Sequence, residues 1–479
     1  MNRIILDNSG YTPLEIAEIT GGSIIRNNGG RINAVSTDSR DCSAGTLFTA
    51  IKGERFDGHD FIADTVKAGA TAILCERVPE NAASLGADFI VVNDTVSALG
   101  KLGKACKDAV APFSAAVTGS VGKTTTKEFI YAVLSEKFRT HKTEGNFNNE
   151  IGLPLTMLSM KKDTEAAVFE LGMSFKGEIS NLSRLAEPKI AVITNIGNSH
   201  IENLGSRENI CAAKLEIIDG LDPDGFLILN ADEPLLFAQK GRIKNKLVFV
   251  SMQNPAADFR ALNVRTYDDY SIYDLVTPNR VVTNIQIPTI GAHNVYDSAY
   301  AFVIGMLCSM TDDEIKRGMM KFKNTGMRQN IYSCGGITII EDCYNAGPES
   351  MKASLDVLSK LSAKTSSRSL AVLGEMRELG EYSKKLHMEV GKNVESRKID
   401  KLCTFGKEAE SIALGAINHG YSPEKISINS DIEKPEATVD AIRSFIRPGD
   451  CVLFKASRAV KLERAIELLK KSLEEDPLV

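Results

Sequence analysis

Residues 115–129, AAVTGSVGKTTTKEF, decide the fold. The stretch begins as a buried strand, turns through glycines, and continues as the start of a helix. That order is the one used to hold a phosphate. The common form of such a loop is G-x-x-x-x-G-K-[ST], and counting back from Gly122 puts Val117 where its first glycine would stand. What remains is a compressed G-x-x-G-K-T made by Gly119, Gly122, Lys123 and Thr124. Glycines let backbone N–H groups approach a phosphate, and the helix N-terminus adds a favourable dipole. Lys123 would then meet the β- and γ-phosphates and the Thr124 hydroxyl would ligate Mg2+. The competing reading is a glycine-containing βα turn with a chance lysine; the apolar strand before it and the helix after it favour the nucleotide. The loop specifies a nucleotide and no reaction.

Working outward, the same alternation of apolar runs and helices continues in both directions. Upstream, YTPLEIAEITGG predicts a helix with Thr12 as N-cap, Pro13 as first residue, Glu15 closing a capping box, and Gly21 and Gly22 as the stop. The runs GTLFTAI, ATAILCE and DFIVVND read as strands of a small α/β unit, with HDFIADTVKAGA as a helix. Downstream, EAAVFEL, KIAVITNI and GFLILNAD are continuous apolar runs between helices, the signature of a parallel, doubly wound sheet. A polar, strand-rich insertion is expected around 246–290. From Gln329 the rhythm restarts with GITIIED, SMKASLDVLSKL, SLAVLGE, KLCTFG and GDCVLFKAS. The expectation is an α/β protein of three domains: 1–111, a central doubly wound P-loop ATPase sheet over 112–327, and a C-terminal Rossmann-like α/β domain over 328–479.

Length and charge agree with this reading. A chain of 479 residues is too long for one ordinary core. The net charge of −5 and the lack of a long basic run exclude nucleic acid as the expected partner. Nine scattered cysteines without a C-x-x-C pair argue for a reducing compartment and against a zinc site. No apolar run approaches the ~18 residues of a membrane span, so a cytoplasmic protein is expected.

Several polar residues fall at the ends of the predicted strands, where open α/β sheets bind ligands. Glu170 ends EAAVFEL and could hold a magnesium ion, although a strand-end glutamate is also a common solvated edge residue or helix cap. His200 follows KIAVITNI in a loop rich in Gly, Asn and Ser; a lone histidine is also often structural. Lys214 lies in SRENICAAKLEIIDGL, a predicted helix capped by Ser206, on the apolar stripe of Ile210, Ala213, Ile217 and Ile218. A buried lysine needs a partner or a lowered pKa. Either it snorkels to the rim, or it is an amine able to lose its proton and be modified. His293 and Asn294 open a helix, Arg328 sits at the entry to the last domain, and Asp342, Tyr344 and Asn345 follow a buried strand. Each alone could be loop or capping chemistry; their convergence on strand ends argues for one site.

Taken together, these residues resemble the Mur ligase family of peptidoglycan synthesis. The resemblance runs through STDSR, GTLFTAIKGERFDGHDF, GSVGKTTTKE, TEGNFNNEIGLPLT, ELGMSFKGEI, NIGNSHIENLGS, AHNVYDSAYA, EDCYNAGPESM, LGEMRELGEYSKKLH and FKASRAVKLE, and covers essentially the whole chain. The compressed loop is that family's own form. The resemblance implies ATP binding by Gly119, Ser120, Val121, Gly122, Lys123, Thr124, Thr125, Asn294, Arg328 and Asp342. It implies two Mg2+ ions held by Thr124, Glu170, His200 and a carbamylated Lys214, whose CO2-derived carbamate turns an awkward buried cation into a metal-binding anion. Lys123, Lys214, His200 and Glu170 would form the catalytic group. Ser39, Arg40, Thr46, Leu47, Asn146, Asn148 and Asn149 match the UDP-sugar side, while Tyr344 and Asn345 lie where the incoming amine would sit.

The implied reaction joins D-alanyl-D-alanine to UDP-N-acetylmuramoyl-tripeptide at the expense of ATP, through an acyl phosphate, in a monomer with no membrane insertion. The family member that adds the third amino acid normally carries D-N-P-R or D-N-P-A, and no D-N-P occurs here. Four positions depart from the family pattern: Asp297 and Gly347 stand in place of asparagines, Glu341 in place of aspartate, and Ala456 in place of glycine.

Overall fold

Local chemistry starts the first unit as the sequence predicts. The Thr12 hydroxyl accepts from the Glu15 N–H at 3.2 Å, and the Glu15 carboxylate accepts from the Thr12 N–H at 2.7 Å. Pro13 supplies the first helical residue and Gly21, at φ 74°, ends the helix Pro13–Thr20. The computed structural model describes residues 3–7 and 10–478. In it, the strands Thr46–Thr49, Ala72–Cys75 and Asp88–Val91 run parallel at the centre of a six-stranded sheet, with antiparallel strands Arg3–Ile5 and Ser23–Arg26 at its two edges.

The central unit is a nine-stranded sheet. Phe113–Thr118 pairs in parallel with Ala166–Glu170 on one side and Ile190–Ile193 on the other. Chain order reverses between these two neighbours, so the switch point that open α/β sheets use for ligands lies at the end of Phe113–Thr118. One face is covered by the helices Lys123–Leu134, Ala292–Leu307 and Asp312–Met320, whose Phe129, Val133, Val303 and Ile315 are fully buried. The other is covered by Glu178–Ala186 and Arg207–Leu215 through Ile179, Leu182, Ile210 and Ala213. Each of the larger of these side chains removed from water contributes ~1.5–3 kcal/mol.

The segment around 246–290 is strand-rich as expected, and its strands Lys246–Ser251, Phe259–Thr266, Ser271–Val276 and Val281–Ile287 extend the central sheet. The last two pairings are antiparallel, so the sheet is mixed at this edge. Short connections over 267–270 and 277–280 can join antiparallel neighbours but not parallel ones. The alternating burial of Ser271–Val276 shows a strand packed on one face only.

The third unit has six strands. Ile337–Asp342, Cys451–Lys455, Ser369–Gly374, Lys401–Phe405 and Ile426–Asn429 run parallel, in that spatial order. An antiparallel edge strand, Asn330–Cys334, joins through Gly335 and Gly336 at φ 56° and 84°. Positive φ at both central residues is what a tight hairpin of this twist requires.

The units are packed together, not strung out. A Cβ on Gly103 of the first unit would lie 2.7 Å from Pro154 Cα, so only glycine permits that helix–helix approach. Between the central and third units one apolar cluster is continuous, containing Ile290 together with Met351, Leu355 and Val357.

Candidate active site

The phosphate loop connects Phe113–Thr118 to Lys123–Leu134 and is tied down from the neighbouring strand end. Val121 N–H donates to Asn195 Oδ1 at 2.9 Å, the Thr194 hydroxyl donates to Val121 O at 2.6 Å, and Gly197 N–H donates to Ser120 Oγ at 2.8 Å. Gly122 sits at φ 87°, and a Cβ there would meet Asp297 Oδ1 at 2.7 Å. The loop therefore needs glycine for both conformation and space. The first N–H groups of the following helix have no intrahelical partners and are available to an anion. Lys123 Nζ donates to Gly119 O at 2.8 Å, folded back over its own loop. Burial lowers its pKa, with Glu170 and Glu378 acting in the opposite sense.

Glu170 ends its strand beside this loop and is buried. Thr124 Oγ1 donates to its Oε2 at 2.7 Å and Asn148 Nδ2 to its Oε1 at 2.9 Å. Lys127, unnoticed in the sequence, is also buried: its Nζ lies 3.8 Å from Glu170 Oε2 and donates to Thr143 O at 2.6 Å. The GKTTTKE spacing contained that signal, since Lys127 stands four residues after Lys123, one turn along the same helix.

The loop, Thr124, Glu170 and Asn148, though not Lys127, face one cavity of about 610 Å3 at the strand ends of the central sheet, closed on its far side by the third unit. The predicted Ser120, Val121, Gly122, Lys123, Thr124, Thr125, Glu170 and His200 all line it. So do Asn146, Asn148, Asn149, Asn294, Arg328, Asp342, Tyr344 and Asn345. Arg328 stacks on Tyr344, its guanidinium carbon 4.0 Å from the ring centre. Asn294 is buried, its amide donating to Ile290 O at 2.7 Å and Thr289 Oγ1 at 3.1 Å. Asp342 accepts from Lys455 Nζ at 2.6 Å and Ser354 Oγ at 2.6 Å. Burial opposes its charge, but Lys455 outweighs that and holds the carboxyl below its usual range. Lys455 also lines the cavity, and like Asp342 it ends an apolar strand.

Lys214 is where the periodicity places it, buried on the inner face of Arg207–Leu215, with Ser206 Oγ accepting from Asn209 N–H at 3.2 Å as the cap. Burial drives its pKa well below the ordinary lysine range, and the charge of Lys123 adds to this. It lies behind the cavity wall and does not line it, as does Gly119.

The first unit departs from expectation. Thr46 and Leu47 are wholly buried in their strand; Thr46 Oγ1 accepts from Arg3 Nε and Ser43 N–H, each at 3.2 Å, and Leu47 packs in the core. Both are fully buried here, and neither lines the cavity. An apolar run reads alike in sequence whether its polar member lines a cleft or caps an interior turn. Ser39 and Arg40 lie in the turn after Ala34–Ser36, with the exposed Arg40 paired to Asp38 at 2.7 Å, and neither lines the cavity.

The four departures are accommodated. Asp297 is buried and accepts from Thr126 Oγ1 at 2.8 Å. Gly347 opens the helix Pro348–Thr365 with room for a side chain, the nearest atom to a built Cβ being Ser199 Oγ at 3.6 Å. The Ala456 methyl occupies space left by Gly374, where a Cβ would come within 2.6 Å of it. Glu341 Oε2 accepts from the Tyr332 hydroxyl at 3.1 Å.

Comparison with known proteins decides which family owns this arrangement. Residues 117–305 match the Mur ligase middle domain, 327–458 the Mur ligase glutamate ligase domain, and 31–115 the Mur ligase family catalytic domain. The UDP-N-acetylmuramoyl-tripeptide–D-alanyl-D-alanine ligase of Bacillus subtilis (strain 168) is 42% identical over 93% of this chain and 94% of its own.

The chain belongs to the Mur ligase family.

Among solved structures, MurF from Acinetobacter baumannii superposes with a TM-score of 0.89 at 28% identity, covering 97% of this chain and 100% of that one. MurF ligase from Thermotoga maritima in complex with ADP gives 0.81 at 32% identity, covering 92% and 98%. The three-domain α/β architecture is thus that of the Mur ligases.

The donor set of the cleft suits a hard cation brought in with phosphates. Among the described residues no group of three or more His, Cys, Asp or Glu forms a cage of its own. Glu170, the Thr124 hydroxyl and His200 are the oxygen and imidazole donors at the loop. Mg2+ keeps its waters and uses one or two carboxylates plus substrate phosphates, so these residues fit it.

Proposed function

We propose that this Mur ligase joins D-alanyl-D-alanine to UDP-N-acetylmuramoyl-tripeptide with cleavage of ATP, forming the pentapeptide precursor of peptidoglycan. The observation that carries the reading is the 42% identity over nearly the full length to the Bacillus subtilis ligase of that name. The joint cavity of loop, Glu170 and third unit supplies the geometry.

In the first step a terminal carboxylate oxygen of the tripeptide bonds to the γ-phosphorus, the bond to the bridging oxygen breaks, and ADP leaves. In the second, the amine lone pair of the dipeptide attacks the activated carbonyl. The tetrahedral intermediate expels phosphate, and the amine gives up its proton. Little covalent work falls to the protein; its task is positioning and charge compensation.

Lys123 and the loop N–H groups face the β- and γ-phosphates, and the Lys123 ammonium swings from Gly119 O to do so. Arg328, Asn294 and Asp342 take the rest of the nucleotide. Asn146, Asn148 and Asn149 face the UDP-linked substrate, and Tyr344 and Asn345 the incoming dipeptide. Thr124, Glu170 and His200 would hold magnesium, which when bound supplies Lewis-acid neutralisation of phosphate charge. Burial lowers the Lys214 pKa and so favours the neutral amine that carbamylation requires; a carbamate there would add an anion that could serve a metal.

The substrates are soluble, charged nucleotides, and among the described residues no helix is long and apolar enough to cross a membrane. The reading places a monomer in the cytoplasm. Phosphate release tests it: the full chain with ATP, Mg2+, UDP-N-acetylmuramoyl-tripeptide and D-alanyl-D-alanine should release phosphate. Release with the dipeptide-bearing UDP substrate and a single diamino acid, but not with D-alanyl-D-alanine, would assign the preceding step of the pathway instead.

A further inference from the structure

One carboxylate in the cleft has no part in the roles assigned above. Glu378 reaches it from the third unit, in the turn before Gly380, with its side chain 53% exposed. Its backbone is in the left-handed region at φ 63°, and His200, which faces it from the central unit, is also left-handed at φ 65°. His200 Nδ1 lies 2.5 Å from Glu378 Oε2. Two non-glycine residues in a strained conformation therefore meet across a domain boundary, and strain of this kind persists only where the surroundings over-determine it.

The surroundings do so here. Glu202 N–H donates to Glu378 O at 3.4 Å, and the Tyr382 hydroxyl donates to Gly205 O at 3.0 Å. A Cβ on Gly380 would come within 2.9 Å of Glu202 Cγ. The turn is thus docked against the short helix Ile201–Leu204 that His200 begins. Nδ1 of His200 is shut off from solvent, and among the described residues no aligned hydrogen-bond partner satisfies it. The Glu378 carboxylate lies beside it.

We propose that Glu378 is a positioning residue for His200, contributed by the third unit. Its carboxylate accepts from Nδ1–H, which leaves the lone pair on Nε2 directed into the cleft. The imidazole is then set for magnesium only when the third unit is docked, which makes domain closure a condition of assembling the site. The chemistry is general: the partner of one ring nitrogen fixes the tautomer and orientation of the other. The inference rests on the magnesium role proposed for His200.

The test uses the full chain with ADP and Mn2+ as the probe, read by electron paramagnetic resonance. Wild type should show nitrogen coupling from an imidazole, which His200→Ala abolishes. Glu378→Ala should bind Mn2+ about 10–100-fold more weakly and lose most of the coupling. Glu378→Gln, which keeps an acceptor oxygen, should stay near wild type. The half-exposed position lets both variants fold, and circular dichroism checks this. Undiminished affinity and coupling in Glu378→Ala would overturn the proposal. So would a Gln variant as impaired as the Ala one, or a wild type without nitrogen coupling. No acceptor substrate is present in these measurements, so failure of the ligase assignment would register separately, as absence of phosphate release dependent on D-alanyl-D-alanine.

Discussion

Replacing Asp297 by asparagine should make the protein more stable, by an amount that grows with pH. Asp297 is 4% exposed, accepts from Thr126 Oγ1 at 2.8 Å, and has no ion-pair partner among the described residues. Burial pushes its carboxyl from the usual 3.8 up to about 8, with the Thr126 hydrogen bond pulling weakly the other way. The unfolded chain loses this proton near pH 4, whereas the folded protein keeps it until near pH 8. Across that window the folded state holds one more proton than the unfolded state, so stability falls as pH rises, by ~1.4 kcal/mol per unit. Between pH 5 and pH 8 the wild type should lose ~4 kcal/mol that Asp297→Asn does not. The amide has the same shape and still accepts from Thr126, but it cannot ionise. At roughly 2–4 °C per kcal/mol for a unit of this size, the gap in Tm should widen by up to about 8–16 °C over those three units. Thermal unfolding followed by circular dichroism in matched buffers at pH 5, 6.5 and 8 measures it. Parallel pH curves for the two proteins, or a variant less stable than wild type at pH 8, would refute the reasoning.

Lys123→Ala should lower the rate of phosphate release by ~10²–10³-fold with an unchanged circular dichroism spectrum; near-normal turnover would remove Lys123 from the chemistry. Gly122→Ala combines a left-handed φ with a Cβ 2.7 Å from Asp297 Oδ1. It should cost ~1–3 kcal/mol, seen as a lower Tm and a raised KM for ATP. Lys214→Ala should abolish turnover and recover part of it with added short carboxylic acids, whose carboxylates replace the missing carbamate. Full activity without such rescue would exclude that role.

Much of the fold was legible because it is written in local patterns. The Thr12 capping box, the apolar runs ending at Thr118, Glu170 and Ile193, and the glycine turn at 119–122 each follow from neighbours within a few residues. Lys214 was legible for the same reason, because helical periodicity alone puts it on the buried face. The mixed edge of the central sheet was harder, since a half-buried strand such as Ser271–Val276 does not announce which neighbour it will pair with. The burial of Thr46 and Leu47 was not legible, because an apolar strand reads the same whether it lines a cleft or fills a core.

By itself, then, the sequence determined the phosphate loop, the α/β rhythm of three units, and which polar residues stand at the strand ends beside that loop. Tertiary structure alone decided what stands opposite them. Glu378 facing His200 and Asp297 closing on Gly122 are contacts between positions far apart in the chain. The physical reason is one of range. Hydrogen-bonding and burial periodicity act over a turn or a strand, whereas the partner across a cleft depends on how whole sheets and their connecting helices pack.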